Sequence, residues 1–145
     1  MGKTEQELAL DTFAARSIKR TGCWHQDPVW EAYLGLAQGA KRDVVSDLTN
    51  RDARLRFPGF REKGHDYAPD QDIGDNGENA LQLMLLQCEG KRIVLLPAWP
   101  KEWSADFKLH APANTVVEGR VVNGRVTDLK VTPPERKADV VLPAL

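Results

Sequence analysis

A chain of 145 residues with 20 basic and 21 acidic side chains carries a net charge of -1, so no overall field draws it to nucleic acid or to an anionic membrane. Its 41% hydrophobic and 28% charged residues are the proportions of a globular chain, one ordinary domain or two small units leaning on each other, and exclude a disordered tail. The opening MGKTEQELAL lacks the apolar core of a signal peptide, and no later run approaches the roughly 20 apolar residues of a membrane span. The expectation is a soluble chain without a targeting segment, its compartment left open. Two distant cysteines make no disulfide framework, and a reduced, buried thiol is expected for Cys88.

Thr4 and Glu7 have capping-box spacing, and Leu10, Phe13, Ala14, Ser17 and Ile18 follow at helical intervals, with Gly22 as a stop. One amphipathic helix over 4–21 is predicted. Asp27 as N-cap, Pro28 behind it and Glu31 in the first turn open a second helix, whose stripe of Trp30, Tyr33, Leu34, Ala37, Val44 and Leu48 runs to about 49. The short link GCWHQ makes the two an antiparallel hairpin. Within it Trp24, His25 and Gln26 set an aromatic ring, an imidazole and an amide side by side. Sugar rings offer flat C–H faces to aromatics and hydroxyls to amides, so this turn has the chemistry of a glycan cleft. Equally, Trp24 closes the end of the hairpin and His25 is solvated. A lone histidine without a nearby cysteine or second histidine makes no metal site. Residues 51–64 read as a long loop anchored by Phe57 and Phe60, with its four arginines alternating with acids as a solvated face.

Next comes an acidic, glycine-broken loop in which Asp70, Asp72 and Asp75 precede a helix start that favours negative charge. Asp75 and Glu78 repeat the capping-box spacing, and Leu81, Met84, Leu85 and Cys88 form an apolar stripe that Leu83 and Leu86 widen, with Gly90 ending the helix. Beyond Lys91 the period changes. Ile93 to Leu96 is a short strand, and PAWPKEW is a turn in which Trp99 and Trp103 either stack on sugar or pack a seam. Phe107 and Leu109 alternate with polar residues, Val117 and Val121 share a face, and Asn123-Gly124 marks a hairpin answered by Thr127, Leu129 and Val131. After Pro133 and Pro134, Ala138 to Leu142 supplies an edge strand. The fold class expected is α+β: a helical region over 1–90, then a small antiparallel sheet of four or five strands over 91–145, its apolar face covered by the buried helix and the N-terminal hairpin. No P-loop, dinucleotide fingerprint, zinc-spaced Cys/His pair, nucleophile elbow or basic-aromatic stripe is present, so no cofactor or metal is expected.

The run from Asp70 through MLLQ (Met84 to Gln87) to LLPAWP (Leu95 to Pro100), continued by WSADFKLHAPANTVVEG, resembles the C-terminal end of the α-L-fucosidase-like glycoside hydrolases of family 95. The resemblance implies that the helices are part of an (α/α)6 barrel and the strands its C-terminal β-domain. By position before MLLQ, it implies that Asp72 is the general base that activates water with inversion. Asp70 is the other candidate, because PDQDIGDNG stands where the family more usually has IDGNFG. Trp24, His25, Gln26 and Asp75 are then the candidate sugar contacts. An inverting hydrolase needs an acid about 6.5–9.5 Å from the base, and in the family that acid lies on a part of the barrel absent from this sequence. The expectation is a C-terminal portion or truncated relative, inactive alone, with a carbohydrate ligand and with self-association or an upstream partner chain covering the open helix faces. The alternative is a non-catalytic carbohydrate-binding or protein-interaction module. Family members are often exported.

Overall fold

The structure, a computed structural model, describes residues 4–19, 25–49 and 72–142, the side chains of 72–74 excepted. Cys23, Trp24, Asp70 and the loop with Phe57 and Phe60 lie outside the described residues. Helix α1 (Glu5–Ala15) starts as its sequence requires: the Glu7 amide donates to Thr4 Oγ1 at 3.3 Å, and the Thr4 amide to Glu7 Oε2 at 2.7 Å. It ends six residues before the expected 21, because Arg16 turns to extended geometry (φ -59°, ψ 135°). From there the guanidinium stacks on Phe13 and Trp30, 4.1 and 4.7 Å from the ring centroids, and pairs with Asp27. No residue of α1 is buried.

The single helix expected over 27–49 is two: α2 (Asp27–Tyr33) and α3 (Ala37–Thr49). Gly35, at φ +73°, breaks them apart; its amide donates to Ala32 O at 3.2 Å and that of Leu36 to Glu31 O at 2.9 Å, closing the end of α2. The break reverses the expected packing. Pro28, Glu31 and Ala32 turn inward, while Trp30 and Tyr33 stay 42% and 61% exposed. Asp27 is the first helical residue rather than the N-cap, which is Gln26 and makes no side-chain cap bond. Gly39 leaves room for the Glu31 carboxyl against α3, since a Cβ there would meet Glu31 Oε1 at 2.4 Å.

Helix α4 (Asp72–Leu85) starts earlier and ends earlier than expected, so Asp75 lies inside it and caps nothing. Leu86 to Glu89 are strand β1, not helix, and Cys88 is exposed rather than buried. The physical reason is at the helix end. The amides of Leu96 and Ala98, from the turn after β2 (Arg92–Leu95), donate to Leu85 O (2.7 Å) and Met84 O (3.2 Å). The Gln87 side chain donates to Leu83 O at 2.9 Å. These bonds satisfy carbonyls that another helical turn would have used. Around the junction Ala32, Ala40, Val44, Ala80, Met84 and Ala98 form one core, against which Trp99 and Trp103 pack edge to face with centroids 5.4 Å apart. The tryptophans therefore do the packing job of the two expected.

The chain is α+β, and its described residues form two three-stranded sheets where one sheet of four or five strands was expected. In the first, β1 pairs antiparallel with β2, and β6 (Val140–Val141) joins β2 in parallel after a 3-10 turn over Pro134–Asp139. In the second, β3 (Ala105–Ala111), β4 (Thr115–Val122) and β5 (Arg125–Thr132) form an antiparallel meander with a bulge at Arg120/Val121. Asn123 and Gly124, at φ 47° and 68°, make the two-residue turn their sequence signals. Leu86, Ile93 and Leu95 from one sheet meet Ala111, Val117 and Val131 from the other. The sheets thus cover each other, and the helices keep a core of their own.

Met84 is fully buried where α4 meets its neighbours. Met84→Ala is expected to cost about 2–5 kcal/mol, read as a shift of the urea unfolding midpoint with an unchanged slope.

Candidate functional site

Helices α2 and α4 and strands β1 and β3 enclose an open cleft of about 530 Å³. Its polar lining is a set of uncharged side chains. Asn76, Asn79 and Gln82 stand at three-residue intervals along α4, Gln26 directly precedes α2, Gln87 lies at the start of β1, and His110 comes from β3. Tyr33 forms one wall, and Leu83, Leu86 and Leu109 supply apolar surface. Gln87 holds the cleft together: its amide nitrogen donates both to Leu83 O on α4 and to Ala32 O on α2, each at 2.9 Å. Amides present two donors and an acceptor oxygen apiece, so this lining suits a ligand rich in hydroxyls and free of charge.

Among the described candidate site residues, Gln26 lines this cleft and His25 and Asp75 do not. Asp72 is the first residue of α4, one turn ahead of Asn76, and its side chain lies outside the described residues, as Asp70 and Trp24 do entirely. Asp75 is exposed on α4. His25 is half-buried on the other side of α2, in a shallow pocket with Arg16, Asp27 and Trp30. The structure therefore separates His25 from Gln26 rather than joining them in one sugar-binding turn. Sequence reasoning passed over the amide stripe, although Asn76, Asn79 and Gln82 recur at i, i+3, i+6 and were legible as one helix face.

A second group of polar residues was also missed. Asp27 and Glu31 on α2, with Asp43 and Asp47 on α3, are all buried, and each pair has i, i+4 spacing. Arg16 Nη2 reaches Asp27 Oδ1 at 2.7 Å, and Arg42 Nε reaches Asp43 Oδ1 at 2.7 Å while its Nη2 lies 3.4 Å from Glu31 Oε1. Glu31 Oε2 is buried with no hydrogen-bond donor among the described residues. Burial first, then the charge of Asp43, pushes the Glu31 carboxyl up to about 7, against the pull of Arg42. The group lies on the face of α2 opposite Gln26 and Tyr33, beside a separate cavity of about 350 Å³. Among the described residues, no three His, Cys, Asp or Glu side chains are grouped to hold a metal ion, and no helix is long and apolar enough to cross a membrane.

Neither a protein-family model, nor a curated protein, nor a solved structure shows detectable similarity to the chain.

The Glu31 carboxyl makes stability fall as pH rises. In the folded chain it keeps its proton up to about pH 7, whereas unfolded it releases it near 4.5, the ordinary value of a glutamate. Between those values the folded state binds more protons, so ΔG of unfolding decreases with pH across the window, by at most about 3 kcal/mol in all. Urea unfolding of Glu31→Gln at pH 4.5 and 7.5 is expected to remove most of this difference. An undiminished fall in the variant would assign the effect to another group.

Proposed function

We propose that this chain is the C-terminal portion of a fucosidase-like glycoside hydrolase and that its amide-lined cleft binds a neutral glycan. The observation that carries the reading is the lining itself. Side-chain amides from α2, α4 and β1 surround a hollow with a tyrosine wall and a leucine floor, and among the described lining residues none is an Asp, Glu, Lys or Arg. A sugar satisfies such a surface on both counts: its hydroxyls exchange hydrogen bonds with the amides, and its C–H faces rest on Tyr33 and the leucines. The cleft volume suits a small ligand rather than a long polymer threaded through.

The resemblance supplies the hydrolytic part of the proposal. Asp72, at the start of α4 and one turn from Asn76, is the residue proposed as general base, with Asp70 as the other candidate. Inversion also requires a protonated carboxyl across the sugar, and the described cleft offers none. The chain by itself is therefore proposed to bind without hydrolysing, and the acid to come from a second polypeptide or a second copy. A non-catalytic carbohydrate-binding module is the alternative, and the same missing carboxyl favours it.

Calorimetric titration with methyl α-L-fucopyranoside and methyl β-D-galactopyranoside tests the cleft. Binding is expected to weaken at least about tenfold, roughly 1.4 kcal/mol, in Asn79→Ala and in Gln82→Ala. It is expected to persist in Asp72→Asn, which removes the proposed base but no amide. Absence of binding to any uncharged sugar would sink the reading, and turnover of an aryl fucoside by the isolated chain would overturn the claim that it does not hydrolyse alone.

A further inference from the structure

Gln87 differs from the other amides of the cleft in that its orientation is dictated. Both Nε2 protons are committed, one to Ala32 O on α2 and one to Leu83 O on α4, each at 2.9 Å. A carbonyl oxygen only accepts, so turning the amide over would set Oε1 against two acceptors and forfeit both bonds. The backbone beneath it is held as well, since β1 pairs Gln87 with Val94 of β2. The polar atom that Gln87 has left to offer the cleft is Oε1, to which no group donates among the described residues. Gln26, Asn79 and Gln82 are exposed, and Gln26 makes no capping bond, so these amides turn either a donor or the oxygen toward a ligand. The cleft thus combines one fixed acceptor with several adaptable groups.

We infer that Gln87 is a specificity-determining residue of the cleft: its side-chain carbonyl is a fixed acceptor that selects a ligand placing a hydroxyl donor there and rejects one placing an ether oxygen, a carbonyl or fluorine. This rests on the glycan reading of the cleft and adds the hydrogen-bonding sense that the sugar must present at one position. In the unliganded chain water donates to Oε1. A ligand hydroxyl replaces that bond, whereas an acceptor set there strips the water and returns nothing. Elsewhere in the cleft an amide that meets an acceptor rotates its NH2 toward it, so the loss of one hydroxyl proton is partly made good. At Gln87 the rotation is barred, because it would break the two bonds that tie α2 to α4. Discrimination between a hydroxyl and a group that cannot donate is therefore concentrated at this one residue.

The test varies the ligand, since a change at Gln87 also alters the spacing of the helices. Methyl α-L-fucopyranoside is compared with the analogues in which each hydroxyl in turn is replaced by fluorine. One replacement is expected to weaken binding at least about tenfold, and the others by less than about threefold. NMR of the unmodified chain reads the residue itself. On binding the parent sugar the Gln87 Cδ resonance is expected to shift while both Nε2 protons keep their slow exchange with solvent, and excess of the discriminated analogue is expected to leave Cδ unmoved. Gln87→Lys keeps donors for both carbonyls and has no acceptor, so it is expected to lose the discrimination; should this variant misfold, the NMR comparison decides alone. If no uncharged sugar binds, the cleft reading fails and this inference falls with it. If the parent sugar binds but all the fluoro analogues bind within about threefold of it, the cleft stands and the inference is overturned. It is overturned equally if a replacement discriminates while Gln87 Cδ does not respond to the parent sugar, if the Nε2 protons exchange freely, or if folded Gln87→Lys keeps the discrimination.

Discussion

The carbonyls at the end of α4 are the constraint on which the rest of the chain depends. A helix leaves its last carbonyls without partners, and a buried one left unpaired costs about 1–3 kcal/mol. Here three of them accept bonds from outside the helix: Leu83 from the Gln87 side chain, Met84 from the Ala98 amide and Leu85 from the Leu96 amide. To do so the chain must leave the helix directly into β1, make a hairpin, and bring the turn after β2 back over the helix end. Leu96 takes a left-handed conformation, φ 62°, at that return. The same return delivers Ala98, Trp99 and Trp103 onto the helical core, so one set of hydrogen bonds joins the helices to the sheets.

MLLQ and LLPAWP are the residues that end α4, cap it and cover it. Their side chains are buried apolar groups, a capping amide and a packing tryptophan, so these residues form the seam of the molecule. The cleft grows out of the same geometry. Gln87 bonds to both α2 and α4, fixing the distance between the helices whose amides face each other across the opening. A structural glutamine thus sets the spacing of a candidate binding surface.

On the opposite face of α2 the electrostatics are of another kind. Four buried carboxyls are shared between α2 and α3, with two arginines reaching in from outside, and Gly39 leaves room for that of Glu31. Burying like charges this closely is tolerable when one of them keeps its proton. Glu31 is that group, and its cost is borne by helices whose apolar packing is thin: α1 buries nothing, and the helical core is mostly alanine.

By itself, the sequence determined the features that need only near neighbours along the chain. The Thr4–Glu7 capping box, the Asn123-Gly124 hairpin and the alternation of β3 and β4 are local, and they formed as read, whereas in β5 the bulge at Arg120/Val121 puts Val126 rather than the expected Thr127 against the core. Tertiary structure decided what depends on distant partners. The interruption at Gly35 turned Trp30 and Tyr33 outward, because closing α2 on its own carbonyls let Glu31 and Ala32 face α3 instead. The end of α4 at Leu85, and with it the exposure of Cys88, followed from amides more than ten residues away that compete for its carbonyls. Gln26 met Asn79 and Gln82 across a cleft that no spacing along one helix could reveal, for side chains from separate elements converge only once the core has set the distance between them.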